Sequence, residues 1–209
     1  MKSRIHRICS LFRGRAMSMG MGIAMGLCSL LADPSSAHAE TAVGASLENP
    51  GLRDGDNKPA NLPSFGEKVL LILYTDPDVA DQNDAFADFV KAADLPRTHF
   101  QSMGVANMQD APAKPNWIIR TIVRGKIKKY NVTILTDPER LLIKAWDLGD
   151  CNNKSVVMIV GKDKKLHFFA KGKLSDTQKS AALAKLCELI AQDGGPSVPA
   201  CTNPPKPAN

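Results

Sequence analysis

Apolar residues run along this chain in blocks, and the spacing within each block predicts an element. The first, residues 16–32, is apolar or small throughout and carries no charge. It follows Lys2, Arg4, Arg7, Arg13 and Arg15 with no acid among them, and it precedes Asp33-Pro34 and then Ala37-His38-Ala39-Glu40. The block is rich in Gly and Met and falls short of the about 20 strongly apolar residues a membrane-spanning helix wants. A basic start, a short apolar stretch and small residues ahead of the junction predict a secretory signal peptide, residues 1–39, cut between Ala39 and Glu40. The competing reading is an anchor that stays in place.

Residues 40–61 are polar and rich in Gly, Asn and Pro, which predicts a lead-in arm or an irregular hairpin. Residues 69–74 are continuously apolar, as a strand buried on both faces is. Thr75-Asp76-Pro77 ends that strand and starts a helix, with Thr75 or Asp76 as cap and Pro77 in the first turn. Phe86, Phe89, Val90 and Ala93 continue it at helical spacing. A second strand is expected over 99–106, and a helix over 116–130 with Trp117, Ile118, Ile122 and Val123 as its apolar side. Residues 132–135 form a third strand, ended by Asp137-Pro138, and the apolar stretch 141–146 is expected to be extended. Two β runs, 155–160 and 166–170, flank a short Gly-containing turn and make a hairpin. Ser175 caps a last helix through Ile190, with Leu183, Leu186, Cys187 and Ile190 on one face. The order implies one α/β domain over 62–192, with a mixed central sheet and helices on both sides. Residues 193–209 are Pro-rich and expected to be disordered.

Charge changes the picture once the leader is removed. The whole chain is +6, but residues 1–39 hold five bases and one acid, which leaves +2 for the exported part. The basicity is mostly a targeting signal and does not argue for nucleic acid; two Trp and two Tyr are also few for a base-stacking surface. No transmembrane segment remains after cleavage, and a periplasmic or secreted location follows. Residues 40–110 carry twelve acids and five bases, whereas 111–209 carry seventeen bases and eight acids. These halves can attract one another within the fold, or the second can present a basic face to an acidic partner.

Several phrases resemble the thioredoxin-like fold in its exported and peroxiredoxin-like forms: residues 69–74 before a capped helix, 133–138 before Lys144-Ala145-Trp146, and 155–164 with Gly172 after them. A closer resemblance is to the YtfJ family of small periplasmic bacterial proteins. It is carried by Leu95-Pro96, residues 107–112, residues 144–148 and Ser155-Val156-Val157. The resemblance implies a three-layer α/β/α domain with a mixed sheet. It also marks what is missing. Thioredoxin-like oxidoreductases place Cys-x-x-Cys, and peroxiredoxins one Cys, at the start of the helix after the first core strand, where the helix end favours a thiolate. Here the residues are Thr75-Asp76-Pro77-Asp78-Val79-Ala80-Asp81-Gln82, without sulfur. The proline that precedes the hairpin strand in thioredoxins is replaced by Lys154-Ser155.

The candidate residues are few. Cys151 falls in the loop before the hairpin, where a thioredoxin-like fold has its active end, and Lys154 is near enough in sequence to lower its pKa. A redox role requires it to be exposed and acidified; otherwise it is an incidental or bridged Cys. Cys187 is a small core residue or, if the tail folds back, the partner of Cys201 in a disulfide. Asp76, Asp78, Asp81 and Asp84 crowd one helix start, where they favour the helix dipole or, less simply, hold a hard cation. Arg120, Arg124, Lys126, Lys128 and Lys129 make a basic helix suited to an anionic surface or an acidic protein. No phosphate loop, nucleophile elbow or zinc spacing is present, so no cofactor is expected. The reading that follows is an exported, non-catalytic binding or adaptor module. The alternative is an atypical thiol protein using Cys151.

Overall fold

A computed structural model describes residues 40–111 and 115–203; the predicted signal peptide with Ala39, and residues 204–209, lie outside the described residues. Seven strands form one mixed sheet in the order β2-β1-β5-β4-β3-β6-β7. The central strand is β3 (Val69–Thr75), parallel to β4 (Phe100–Asn107) and antiparallel to β6 (Ser155–Val160). Beyond β4 runs β5 (Thr133–Asp137), also parallel, and beyond β6 runs β7 (Leu166–Lys171), antiparallel. The N-terminal arm supplies the short hairpin β1 (Leu52–Arg53) and β2 (Pro59–Ala60), which covers the β5 edge through the pair Arg53 and Thr136.

Alternation along the strands sorts the two cores. Val69 and Leu71 of β3 with Val157 and Ile159 of β6 face α1 (Asp84–Ala92) and α4 (Asp176–Gln192), meeting Phe86, Phe89, Leu183 and Leu186. Leu70, Ile72, Tyr74, Met158 and Val160 face the other way, onto Leu142, Trp146 and Leu148 and onto Leu47, Leu52 and Leu62 of the arm. The helix α2 (Asn116–Tyr130) lies on the first face, where Ile119 and Val123 pack on Ala106 and Ile134. The result is three layers, with α1, α2 and α4 on one side and α3 (Leu141–Trp146) on the other.

Four local expectations need correction. Residues 141–146 are helical, because the Asp137 carboxylate accepts from the amides of Leu141 and Leu142 at 2.8 and 2.9 Å and caps the first turn. Six residues are too few for a 3.6-residue period to show in the sequence. Thr75-Asp76-Pro77 starts only a 3₁₀ turn, Pro77–Val79, and the α-helix waits until Asp84. On α2 the seam is Ile119 and Val123, one turn apart, while Trp117 projects outward, 68% exposed. The tail is ordered through Asn203: it turns at Gly194, buries Val198 against α4 and ends in α5 (Pro199–Thr202), tied to α4 by a Cys187–Cys201 disulfide. Ser175 caps α4 with a reciprocal capping box to Gln178.

Candidate functional site

The carboxyl ends of β3, β4 and β5 point to one edge of the sheet, and β6 begins there. In open α/β sheets this edge is where ligands bind. Each strand delivers a buried polar residue to it: Tyr74 near the end of β3 and Asp76 just after it, Asn107 and Asp110 at and after β4, Asp137 at the end of β5. Asp76 is fully buried. Its carboxylate accepts from the amides of Asp78 at 2.8 Å and Asn153 at 2.7 Å, which fastens the 3₁₀ turn to the loop before β6. Tyr74 donates its hydroxyl to Asp137 at 3.2 Å. Burial first, and then the Asp137 charge, push the Tyr74 pKa well above the phenol range. Asp110 accepts from both Asn107 and Arg140. Its carboxylate, hydrogen-bonded to the guanidinium, raises the Arg140 pKa further. Arg140 holds the left-handed conformation, φ 55°, and its side chain is half exposed.

Cys151 sits among these groups but does not meet the requirement for a redox centre. It is 1% exposed, and its thiol points weak donor contacts at the carbonyls of Leu148 and Gly149, at 3.8 and 3.6 Å. Burial, outweighing the nearby Lys171 ammonium, pushes its pKa up to about 11. Lys154 lowers it only weakly, its ammonium being held by Asp150 at 2.6 Å. The other two described cysteines are joined to each other. At this edge the hydroxyls of Thr75 and Ser155 lie 3.0 Å apart, with no carboxylate or imidazole hydrogen-bonded to either among the described residues.

The acidic helix start divides between two tasks. Asp76 holds backbone amides, and Asp84 pairs with Lys126 and, at 3.4 Å, with Lys129. Asp81 is exposed. Among the described residues no three His, Cys, Asp or Glu side chains are grouped as a metal site. The five bases of α2 divide as well. Lys126 and Lys129 reach the α1 carboxylates Asp84 and Asp88, so the acidic and basic halves of the chain do meet within the fold. Arg120, Arg124 and Lys128 are exposed and make no ion pair among the described residues; with Trp117 and Ile127 they fall on one outward arc. Glu40, first after the predicted junction, accepts from Lys171 at 2.6 Å.

Sequence reasoning missed Tyr74, Asn107, Asp110, Asp137 and Arg140 as a group. The available signal was that three apolar runs each end on a polar residue. Asp137 read only as a strand stop.

An open mixed sheet with a parallel β-α-β unit, an antiparallel hairpin and a closing helix defines a thioredoxin-like fold. Solved structures share it. The exposed lipoprotein thioredoxin of Streptococcus pneumoniae superposes with a TM-score of 0.51 at 16% identity, covering 68% of this chain and 100% of that one. A hypothetical protein of Sinorhizobium meliloti gives 0.53 at 17%, over 76% of this chain and 88% of that one. An uncharacterized conserved protein of Geobacillus kaustophilus gives 0.54 at 16%, over 75% and 85%. At these identities the likeness is one of fold. The chain belongs to the family described as "Bacterial protein of unknown function (YtfJ_HI0045)", which it matches over residues 68–190. Comparison with the curated proteins finds no match. No described helix is long and apolar enough to cross a membrane.

Proposed function

We propose that this protein is an exported binding module that keeps the thioredoxin fold without thiol–disulfide chemistry. The observation that carries this reading is the state of sulfur at the carboxyl edge of the sheet. The helix start holds none, and the one free cysteine of the described residues is sealed and held as a thiol. Thiol exchange needs an accessible thiolate. Export to a periplasmic or extracellular space is supported by the N-terminal segment and by a disulfide of the kind that persists in oxidising compartments. The outward arc of α2, with Trp117, Arg120, Arg124 and Lys128, is suited to an anionic surface.

The test is an insulin-reduction assay on the purified chain with dithiothreitol as electron source. The expected rate is that of dithiothreitol alone. A rate approaching that of a thioredoxin, lost in C151S, would falsify the reading and restore Cys151 as a redox centre.

A further inference from the structure

One face of β4 carries small residues where a central strand ordinarily carries large ones. Ser102, Gly104 and Ala106 point toward the helical layer, in register with Leu71, Leu73 and Thr75 of β3. Above them α1 and α2 do not close. A cavity of about 390 Å³ is left, floored by β4 and walled by Ala87 and Val90 on one side and Ile122 and Val123 on the other. That volume lies within the range of small-molecule sites, roughly 300–1,000 Å³. The floor follows β4 from Phe100 to Ala106, about 20 Å at the rise of an extended strand. That length suits an extended chain lying along the strand.

The polar features of this cavity are specific. Lys68, Lys91 and Arg97 line it where β3 and β4 begin and α1 ends. None of the three makes an ion pair among the described residues: Lys68 donates to the carbonyl of Arg97 at 2.7 Å, and Lys91 to that of Lys129 at 3.0 Å. Of the lining carboxylates, Asp84 is already neutralised by Lys126 and Lys129, leaving Asp94 against three cations. Tyr130 lines the same space, and its buried hydroxyl makes no hydrogen bond of good geometry among the described residues. The Lys129 ammonium interacts with the hydroxyl and also lies over the ring, 4.6 Å from its centroid. Buried polar atoms are rarely left unpaired, and a missing ligand is one reason they are.

We infer that the cavity between α1 and α2 binds a single long apolar chain that ends in a carboxylate, the chemistry of a free fatty acid. The chain lies along β4 between Leu73, Ile122 and Ile134. The carboxylate sits toward Lys68, Lys91 and Arg97. This rests on the reading of the protein as a binding module, but it fails separately: insulin reduction with intact fatty-acid binding would remove that reading and leave the site.

The test is fluorescence titration of the purified chain with parinaric acid, whose emission rises in an apolar site. Saturable binding at one per chain is expected. Ser102→Leu fills the floor and should cut affinity tenfold or more while the melting temperature holds or rises. Position 104 is less suited, because a Cβ there would meet Ile134 Cγ1 at 3.2 Å. Lys68→Gln combined with Arg97→Gln should weaken parinarate binding fivefold or more and leave the matching neutral alcohol unaffected. Absence of saturable binding overturns the inference. So does unchanged binding in folded S102L, or an equal effect of the charge variants on acid and alcohol.

Discussion

The carboxyl edge of the sheet and the space over β4 stand in opposite states. At the edge, where this fold ordinarily works, the buried carboxylates are all occupied: Asp76 by two amides, Asp137 by Tyr74 and three amides, Asp110 by Asn107 and Arg140. Over β4 there is a cavity lined by Tyr130 and by three cations, Lys68, Lys91 and Arg97, that make no ion pair among the described residues. The carboxylates of that cluster are saturated and costly to disturb, and among its described side chains the buried Asn107 Oδ1 is the atom left without a hydrogen-bond partner. An under-filled apolar space bounded by cations without ion pairs has the reverse character of those carboxylates. Fold likeness directs attention to the first region, and the local chemistry directs it to the second.

The largest effect should come from breaking the edge. Asp137→Ala strands the Tyr74 hydroxyl and the amides of Leu141 and Leu142 in a buried setting and removes the cap that makes α3 helical. Each such loss is worth 1–3 kcal/mol, so a total of about 4 kcal/mol is expected. Urea denaturation followed by circular dichroism measures it. A loss under about 1 kcal/mol would mean that the cluster is not the rigid element described here.

Cys151 sharpens the same side of the comparison through pH. Its folded pKa of about 11 stands above the 9.0 of a free thiol. The folded state therefore retains the proton more tightly. The contribution is fully present below pH 9 and is lost as pH rises toward 11, by about 3 kcal/mol in all. Stability of the native chain should fall across that window relative to C151A. Parallel pH profiles for the two proteins would show that the thiol is not sealed.

Much of this was legible beforehand, for identifiable reasons. Strands β3, β5 and β6 show as short apolar runs, α2 and α4 are long enough to read as helices although the buried side of α2 was misplaced, and Ser175 with Gln178 spells a capping box. The 141–146 helix was not legible, because its cap comes from Asp137, across a turn that the sequence presents only as a strand stop. The folded tail was not legible either: Val198 and Cys201 sit in a Pro-rich stretch, and only their contact with α4 orders them. The missing sulfur at the helix start was visible in the sequence. The cavity was half visible, as Ser102, Gly104 and Ala106 in alternation, but what they face depends on how α2 lies on the sheet.

Filling the cavity should stabilise the protein as breaking the edge destabilises it. In Ser102→Leu an added apolar side chain replaces empty space, a change commonly worth about 0.5–2 kcal/mol. A gain near 1 kcal/mol in urea, alongside the loss in Asp137→Ala, would place the spare packing capacity of the domain over β4. A loss would show that the floor is already full.

The smallest effect concerns the contact that closes one wall of that cavity. Asp84 is, with Asp88, one of two carboxylates through which α1 holds α2. Its partial burial opposes ionisation, yet the hydrogen bond and charge of Lys126, with Lys129 behind them, hold its pKa below the usual 3.8. A depressed pKa means that the unfolded chain takes up the proton more readily. The contribution is therefore present above the ordinary carboxylate range and fades as pH falls through the folded value. The side chain is 28% exposed and the pairs are screened by solvent, so Asp84→Asn should cost only about 0.5–1 kcal/mol at neutral pH and less as the pH falls. Raised salt should shrink the difference. If Asp84→Asn instead left stability unchanged but sped hydrogen exchange along α2, the ion pair would be holding the wall in place without adding to global stability, and α2 would be the element that opens to admit a ligand.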